Sequence, residues 1–94
     1  MNDIKVLHAL ADPTRRALFE RIVQAPRSVG ELAGWAPVSQ PAVSQHLKVL
    51  RAARLVDVES RGALRIYRAR ADGVQALMRW LDTCLQQIGP KANA

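Results

Sequence analysis

The hydrophobic period of this chain changes twice. Up to Leu50, apolar residues recur every three or four positions. From Leu55 to Arg68 they alternate, and from Val74 to Ile88 helical spacing returns. A helix buries one stripe and a strand one face. The order therefore predicts several helices, a β-hairpin and a long closing helix. In 94 residues this makes one mostly α domain with a small β-hairpin and a modest core, the size at which dimerisation helps.

Asn2 or Asp3 can cap a first helix running to about Ala11, with Ile4, Leu7 and Leu10 or Ala11 apolar. Asp12-Pro13 restarts the chain as an N-cap and a preferred first helical residue, predicting a second helix to about Ala25. Arg15 and Arg16 lie in its first turn, the unfavourable end of the dipole for a cation. Pairing with Asp12 or another carboxylate is the expected resolution, and contact with phosphate the functional alternative. Pro26 ends this helix, and Arg27-Ser28-Val29 reads as an extended connector or a single-rung strand. Gly30 to Trp35 forms a short third helix closed by Gly34 and Pro37, with Leu32 inward and Trp35 in or at the edge of the core.

Ser39 to Leu50 is the most informative stretch. Ser39 is a good N-cap and Pro41 sits harmlessly in the first turn. At about 100° per residue, Val43, Leu47 and Leu50 share one stripe. Pro41, Gln45 and Lys48 fall opposite, with Ser44 on the shoulder. A solvated face would usually mix Glu with Lys, and no carboxylate occurs here. Ser, Gln and Lys suit the major groove, where Gln pairs with adenine and Lys with guanine or phosphate. Two short helices with such an outer face on the second make a helix-turn-helix.

In the hairpin, Val56 and Val58 share one face against Asp57 and Glu59. Arg61 and Gly62 belong to the turn Ser60-Arg61-Gly62-Ala63, and Arg65 follows just beyond. Directly after a helix-turn-helix, a basic-tipped hairpin reads as a wing, its cations suited to phosphate or a narrow minor groove. Asp72 is expected to cap the last helix, which stops at Gly89-Pro90. Its stripe of Val74, Leu77, Met78, Leu81, Leu85 and Ile88 is long for one small domain to cover. Ile4 and Leu7 of the first helix offer a second apolar face, so the two terminal helices are expected to form a two-fold dimer interface. Residues 1–89 would make the DNA-binding and dimerisation domain and 90–94 a tail.

Fourteen Lys and Arg against eight Asp and Glu leave a charge of +6, which favours an anionic partner. A single cysteine, Cys84, allows no disulfide within the chain. It lies on the inward stripe of the last helix and reads as a small core residue. The N-terminus is no signal peptide and no stretch approaches membrane-spanning length, so a cytoplasmic protein is expected. No Gly-rich phosphate loop, no motif-placed Cys–His or Ser–His pair and no cofactor fingerprint occurs, so the chain does not read as an enzyme.

Several segments together resemble the ArsR/SmtB family of bacterial winged-helix repressors over about Ile4 to Ile88. They are Leu10-Ala11-Asp12-Pro13-Thr14-Arg15-Arg16, Val29-Gly30-Glu31-Leu32-Ala33, the whole of Ser39 to Leu50, Leu55-Val56, Arg61-Gly62 and Arg65-Ile66-Tyr67. The resemblance implies a homodimer joined through its first and last helices, with the Ser39 helix in the major groove and the hairpin beside it. The resulting expectation is a sequence-specific repressor of its own or neighbouring genes, bound to a pseudo-palindromic operator in double-stranded DNA. Ser39, Gln40, Ser44 and Gln45 would face base edges, with Pro41 on the same surface, and Lys48, Arg61 and Arg65 would hold phosphate or the minor groove. His46 flanks the apolar stripe, in a half-buried or phosphate-contacting position. The alternative is a winged-helix module docking an acidic protein.

Two features depart from the family. Arg54 stands where Gly commonly precedes the Leu-Val that opens the hairpin, at a cost of about 1 kcal/mol if left-handed, so a differently shaped corner is expected. Metal-sensing members carry cysteines near the third helix or an acidic and histidine set on the last helix. Glu31 to Trp35 has no thiol, and His8 and His46 lie on other elements. Soft-metal and zinc sites want several Cys or His ligands, so no metal or other cofactor is expected. The resemblance is to the autorepressor-like branch, and it leaves room for an unidentified small-molecule effector.

Overall fold

The computed structural model describes residues 2–89, so the tail at 90–94 lies outside the described residues. The elements run α1 (Asn2–Ala11), α2 (Pro13–Gln24), β1 (Arg27–Ser28), α3 (Val29–Trp35), α4 (Gln40–Ala52), β2 (Val56–Arg61), β3 (Leu64–Ala69) and α5 (Ala71–Ile88). This is a winged helix-turn-helix, mostly helical with a small antiparallel sheet of order β1-β3-β2.

Caps written in the sequence start the middle helices. Asp12 accepts from the Arg15 amide at 2.9 Å, and Pro13 follows in the first turn. That bond, with Arg15 nearby, holds the Asp12 carboxyl below its ordinary value. Ser28 and Glu31 form a reciprocal capping box: the Glu31 amide donates to Ser28 Oγ at 3.1 Å and the Ser28 amide to Glu31 Oε1 at 3.0 Å. These bonds draw the Glu31 pKa down. The connector is thus a real strand, its Arg27 and Ser28 paired with Tyr67 and Ile66, and α3 begins one residue earlier than the sequence suggests.

Among the described residues neither Arg15, half-buried, nor Arg16, exposed, forms an ion pair with a carboxylate. Arg15 donates to the Ala9 and His8 carbonyls at 2.8 and 3.1 Å, and Arg16 to the Leu10 carbonyl at 3.1 Å. These are final carbonyls of α1, which have no partner within their own helix. Two cations at the start of α2 therefore close the end of α1.

The core gathers Val6 and Ala9 of α1, Leu18 and Ile22 of α2, Leu32 of α3, the inner face of α4, and Leu55, Val56 and Tyr67 around the hairpin. Leu10, Val74 and Leu77 pack half-buried at its margin. A two-residue turn closes the hairpin, Arg61 pairing with Leu64 across Gly62 and Ala63. Gly62 has φ +59° and Ala63 no positive φ, the pattern of a type II′ turn. The turn is shorter than the four-residue signal suggested.

The corner between α4 and β2 corrects an expectation. Arg54 takes φ +59°, and the Leu55 amide donates to Leu50 O and the Arg54 amide to Arg51 O, each at 3.0 Å. This is a complete Schellman motif with arginine in the glycine position, and Leu50 and Leu55 are its buried apolar pair. The corner keeps the shape that glycine would give it. Asp72 corrects another. α5 begins after Arg70 with no side-chain cap, and Asp72 instead accepts from the Arg70 guanidinium at 2.8 Å. The start of α5 is fixed by proximity: Gly73 donates its amide to Arg54 O at 3.0 Å. A Cβ on Gly73 would come within 2.6 Å of Ala53 O.

Candidate nucleic-acid interface

Helix α4 is capped by Ser39, whose Oγ accepts the Ala42 amide at 3.3 Å. Val43, Leu47 and Leu50 are completely buried. Burial of that stripe fixes the rotation of the helix and turns Gln40, Pro41, Gln45, Lys48 and Arg51 outward, with Ser44 and His46 half-buried at the margins. Gln40, Ser44, Lys48 and Arg51 form one wall of a groove of about 450 Å³. Ala63, Leu64, Arg65 and Tyr67 form the facing wall, and Ser28 to Gly30 contribute where α3 begins. Among the described residues no acidic one lines it.

The sequence-selected residues divide among three places. Gln40, Ser44, Lys48 and Arg65 are brought together in the groove. Ser39, Pro41 and Gln45 are exposed elsewhere on α4, while His46 turns toward α2, its field helping to lower the Asp12 pKa. Arg61 is separated from Arg65 by strand alternation. Cross-strand pairs Ser60–Arg65 and Val58–Tyr67 share the core-facing side, whereas Arg61–Leu64 and Glu59–Ile66 share the other. On that outer side Arg61 pairs with Glu59 at 3.5 Å, and Arg68 with Glu59 at 3.0 Å. The two arginines hold the Glu59 carboxyl below its ordinary value, Arg68 contributing most. Arg51 was missed by the sequence reading, although it continues the i, i+4 line of Gln40, Ser44 and Lys48 by three residues.

The residues expected at the dimer interface divide as well. Ile4 and Leu7 are exposed, Ile4 at 65%. Val74 and Leu77 pack half-buried on the chain's own core. Met78, Leu81, Leu85 and Ile88 are exposed, with Met78 at 62% and Ile88 at 66%. Trp80, which falls to one side of the stripe and escaped the pattern, is also exposed. Trp35, expected in or at the edge of the core, is instead exposed, with the Arg21 guanidinium 4.7 Å from the centre of its ring. Cys84 is half-buried on α5. Among the described residues no three His, Cys, Asp or Glu side chains gather as a metal site would require, and no helix is long and apolar enough to cross a membrane.

The family model described as a helix-turn-helix domain matches residues 10–59. The chain is 55% identical over 74 residues to the HTH-type transcriptional regulator Rv2034 of Mycobacterium tuberculosis, covering 79% of this chain and 69% of that protein. It is 44% identical over 64 residues to the HTH-type transcriptional repressor SmtB of the same species, covering 68% of this chain but only 47% of that protein. The solved ArsR-like transcriptional regulator from Rhodococcus sp. RHA1 superposes with TM-score 0.85 at 28% identity, covering 98% of this chain and 87% of that one.

The chain belongs to the ArsR/SmtB family.

As a member of this family it is a helix-turn-helix transcriptional regulator that binds DNA, not an enzyme. The family match spans α2, α3, α4 and the start of the hairpin. It therefore takes in the whole helix-turn-helix and the α4 wall of the groove. In this ArsR/SmtB chain the other wall is supplied by β3, beyond the matched segment.

Proposed function

We propose that this regulator acts as a homodimer that represses its own or neighbouring genes by covering a pseudo-palindromic operator in cytoplasmic DNA. The observation that carries the reading is the groove between α4 and the hairpin, lined by Lys48, Arg51 and Arg65 without a carboxylate. Helix α4 enters the major groove with Gln40, Ser44 and Gln45 toward base edges, and Ser39, Pro41 and His46 pack around them. Lys48, Arg51 and Arg65 take the adjoining phosphates. Arg61, shared with Glu59, contributes less than Arg65.

The apolar faces of α1 and α5 support the dimer. Ile4, Leu7, Met78, Leu81, Leu85 and Ile88 meet their counterparts across a two-fold axis, and Val74 and Leu77 anchor α5 beneath them. The axis sets two α4 helices about one DNA turn apart, roughly 34 Å. Residues 1–89 act as the DNA-binding and dimerisation unit. The reading calls on no metal, and Glu31, the one possible ligand of α3, is committed to its cap.

The test is a titration against the DNA upstream of the protein's own gene, at two salt concentrations, beside an unrelated fragment of equal length. Two chains per site and strong preference for the first fragment are expected. Gln45→Ala should lose about 1–3 kcal/mol on the operator and relax one base preference. Arg65→Ala should weaken binding to both fragments and flatten the salt slope by about one unit. Equal loss on both fragments for Gln45→Ala would remove its base-reading role.

A further inference from the structure

Between α1 and the last turns of α4 lies a second groove, of about 520 Å³. Ile4, Val49 and Ala52 give it an apolar lining, and Lys5, His8 and Lys48 stand in its walls. Among the described residues no acidic side chain lines it. Its volume is in the range of small-molecule sites, about 300–1,000 Å³, and an apolar lining with a few convergent polar groups is their usual make-up. A hydrocarbon chain gains by leaving water along Val49 and Ala52, which the proposed dimer face does not use. A carboxylate head gains a charge-assisted hydrogen bond from either ammonium group, whereas a cationic head would meet like charge.

Lys48 is the side chain that gives this groove a consequence. It lines both the α1–α4 groove and the groove between α4 and the hairpin. One ammonium group on a flexible stem cannot serve an anion on each side of the helix at full strength.

We propose that the α1–α4 groove is an effector site for an amphipathic monocarboxylate with a medium-length hydrocarbon chain, which competes with DNA for Lys48. The proposal rests on the assignment of Lys48 to DNA given above. Ligand and operator are then linked with opposite sign: whatever factor the carboxylate takes from operator affinity, the operator takes from carboxylate affinity. The binding energy of the hydrocarbon chain is what lets the carboxylate compete with a polyanion.

The experiment uses the purified full chain with decanoate as the probe, below its micelle-forming concentration, and decyltrimethylammonium as the amphiphile of opposite charge. Thermal unfolding without DNA reads occupancy of the groove. Fluorescence anisotropy of labelled operator at constant ionic strength reads the competition. Decanoate is expected to raise Tm and weaken operator binding by about tenfold, within the usual range for coupled sites. The ammonium amphiphile should do neither. Ala52→Trp places an indole in the groove from an exposed position. It should bind operator as the unchanged protein does and lose both responses to decanoate. Lys48→Gln should still gain Tm with decanoate, by a smaller amount, and lose the competition.

The proposal is overturned if decanoate leaves Tm unchanged, as it would were the groove filled by a second copy of the chain. It is also overturned if both amphiphiles act alike, if decanoate binds without weakening the operator complex, or if Ala52→Trp keeps the full response. Because the Tm measurement contains no DNA, it tests the groove even where operator binding itself fails. That failure would count against the proposed function.

Discussion

Helix α4 buries Val43, Leu47 and Leu50 completely against its own chain, whereas α5, with an equally regular apolar stripe, buries only Gly73. Their surroundings differ. α4 lies in the middle, with α1, α2, α3 and β2 against it. α5 packs beside α1, and its 18 residues reach about 27 Å along a molecule measuring 53 × 24 × 22 Å. An apolar stripe says that something must cover a helix, and only the fold says whether the chain itself can. For α4 the cover is internal, so its outer face is free for recognition. For the second half of α5 the cover is missing, which is the physical ground for assigning it to a second subunit.

The largest separation between the two helices should come from truncating each stripe. Leu47→Ala opens a cavity in the sealed core and should cost about 3 kcal/mol at any protein concentration. Leu81→Ala removes a side chain that is 50% exposed in the single chain. Its cost of about 1–2 kcal/mol should fall on dimerisation, where two-fold symmetry counts each substitution twice. Chemical denaturation and sedimentation over a range of concentrations distinguish the cases. A Leu81→Ala protein with unchanged association and a concentration-independent loss of stability would abolish the contrast.

Next in size is Gly73, where the end of α4 meets the beginning of α5. A Cβ there would lie 2.6 Å from Ala53 O and 3.0 Å from Arg54 O, both backbone atoms that cannot swing aside. Gly73→Ala should therefore cost about 1–3 kcal/mol through overpacking, visible as a lowered denaturation midpoint with unchanged slope. Indifference to the substitution would mean that α5 is free to tilt away from α4.

These residues also mark what the sequence could disclose. Local signals were legible because their physics is local: Asp12-Pro13, Ser39 and the alternation of Val56 and Val58 each act within a few residues. The helix-turn-helix and the hairpin are legible by these means. What depends on distant neighbours is not. Arg15 and Arg16 serve carbonyls of the preceding helix, and Asp72 serves Arg70 instead of capping. Arg61 and Arg65 look alike in sequence, yet strand alternation puts them on opposite faces. Arg51 completes a wall that exists only once β3 stands opposite, and Gly73 reads as a poor helix residue until the Ala53 carbonyl is beside it.

Acid should loosen α5 before α4. The cap of α4 is a serine hydroxyl, which does not titrate in this range. The start of α5 relies on Arg70, bonded to Asp72 at 2.8 Å and paired with Asp57 at 3.6 Å. The Arg70 guanidinium holds the Asp72 pKa below its ordinary 3.8. A carboxylate with a depressed folded-state pKa stabilises above its unfolded value and loses that contribution as pH falls through the folded one. Amide exchange in the first turn of α5 should therefore quicken below pH 3.8, relative to the first turn of α4. Asp72→Asn should show the quickened exchange already at neutral pH. Parallel loosening of both turns would show that Asp72 does not hold α5.

The smallest effect concerns the residue joining the two helices to the hairpin. Arg54 holds φ +59° in a position that glycine fills without strain. Arg54→Gly removes a left-handed penalty of about 1–2 kcal/mol and returns about 0.4–1 kcal/mol through the freer unfolded chain. The net gain should be about 0.5–1 kcal/mol, a rise in Tm of several degrees for a domain of this size. That an arginine occupies the place at this cost makes its charge the thing to examine. If Arg54 only closes the corner, the glycine variant should be more stable and bind operator unchanged at every salt concentration. If its guanidinium reaches a phosphate beyond the end of α4, the variant should gain stability while its binding weakens on all sequences and the salt slope falls by about one. The first result would leave α4 as the sole reader beside the hairpin, and the second would extend the DNA-contacting surface to the junction where α5 begins.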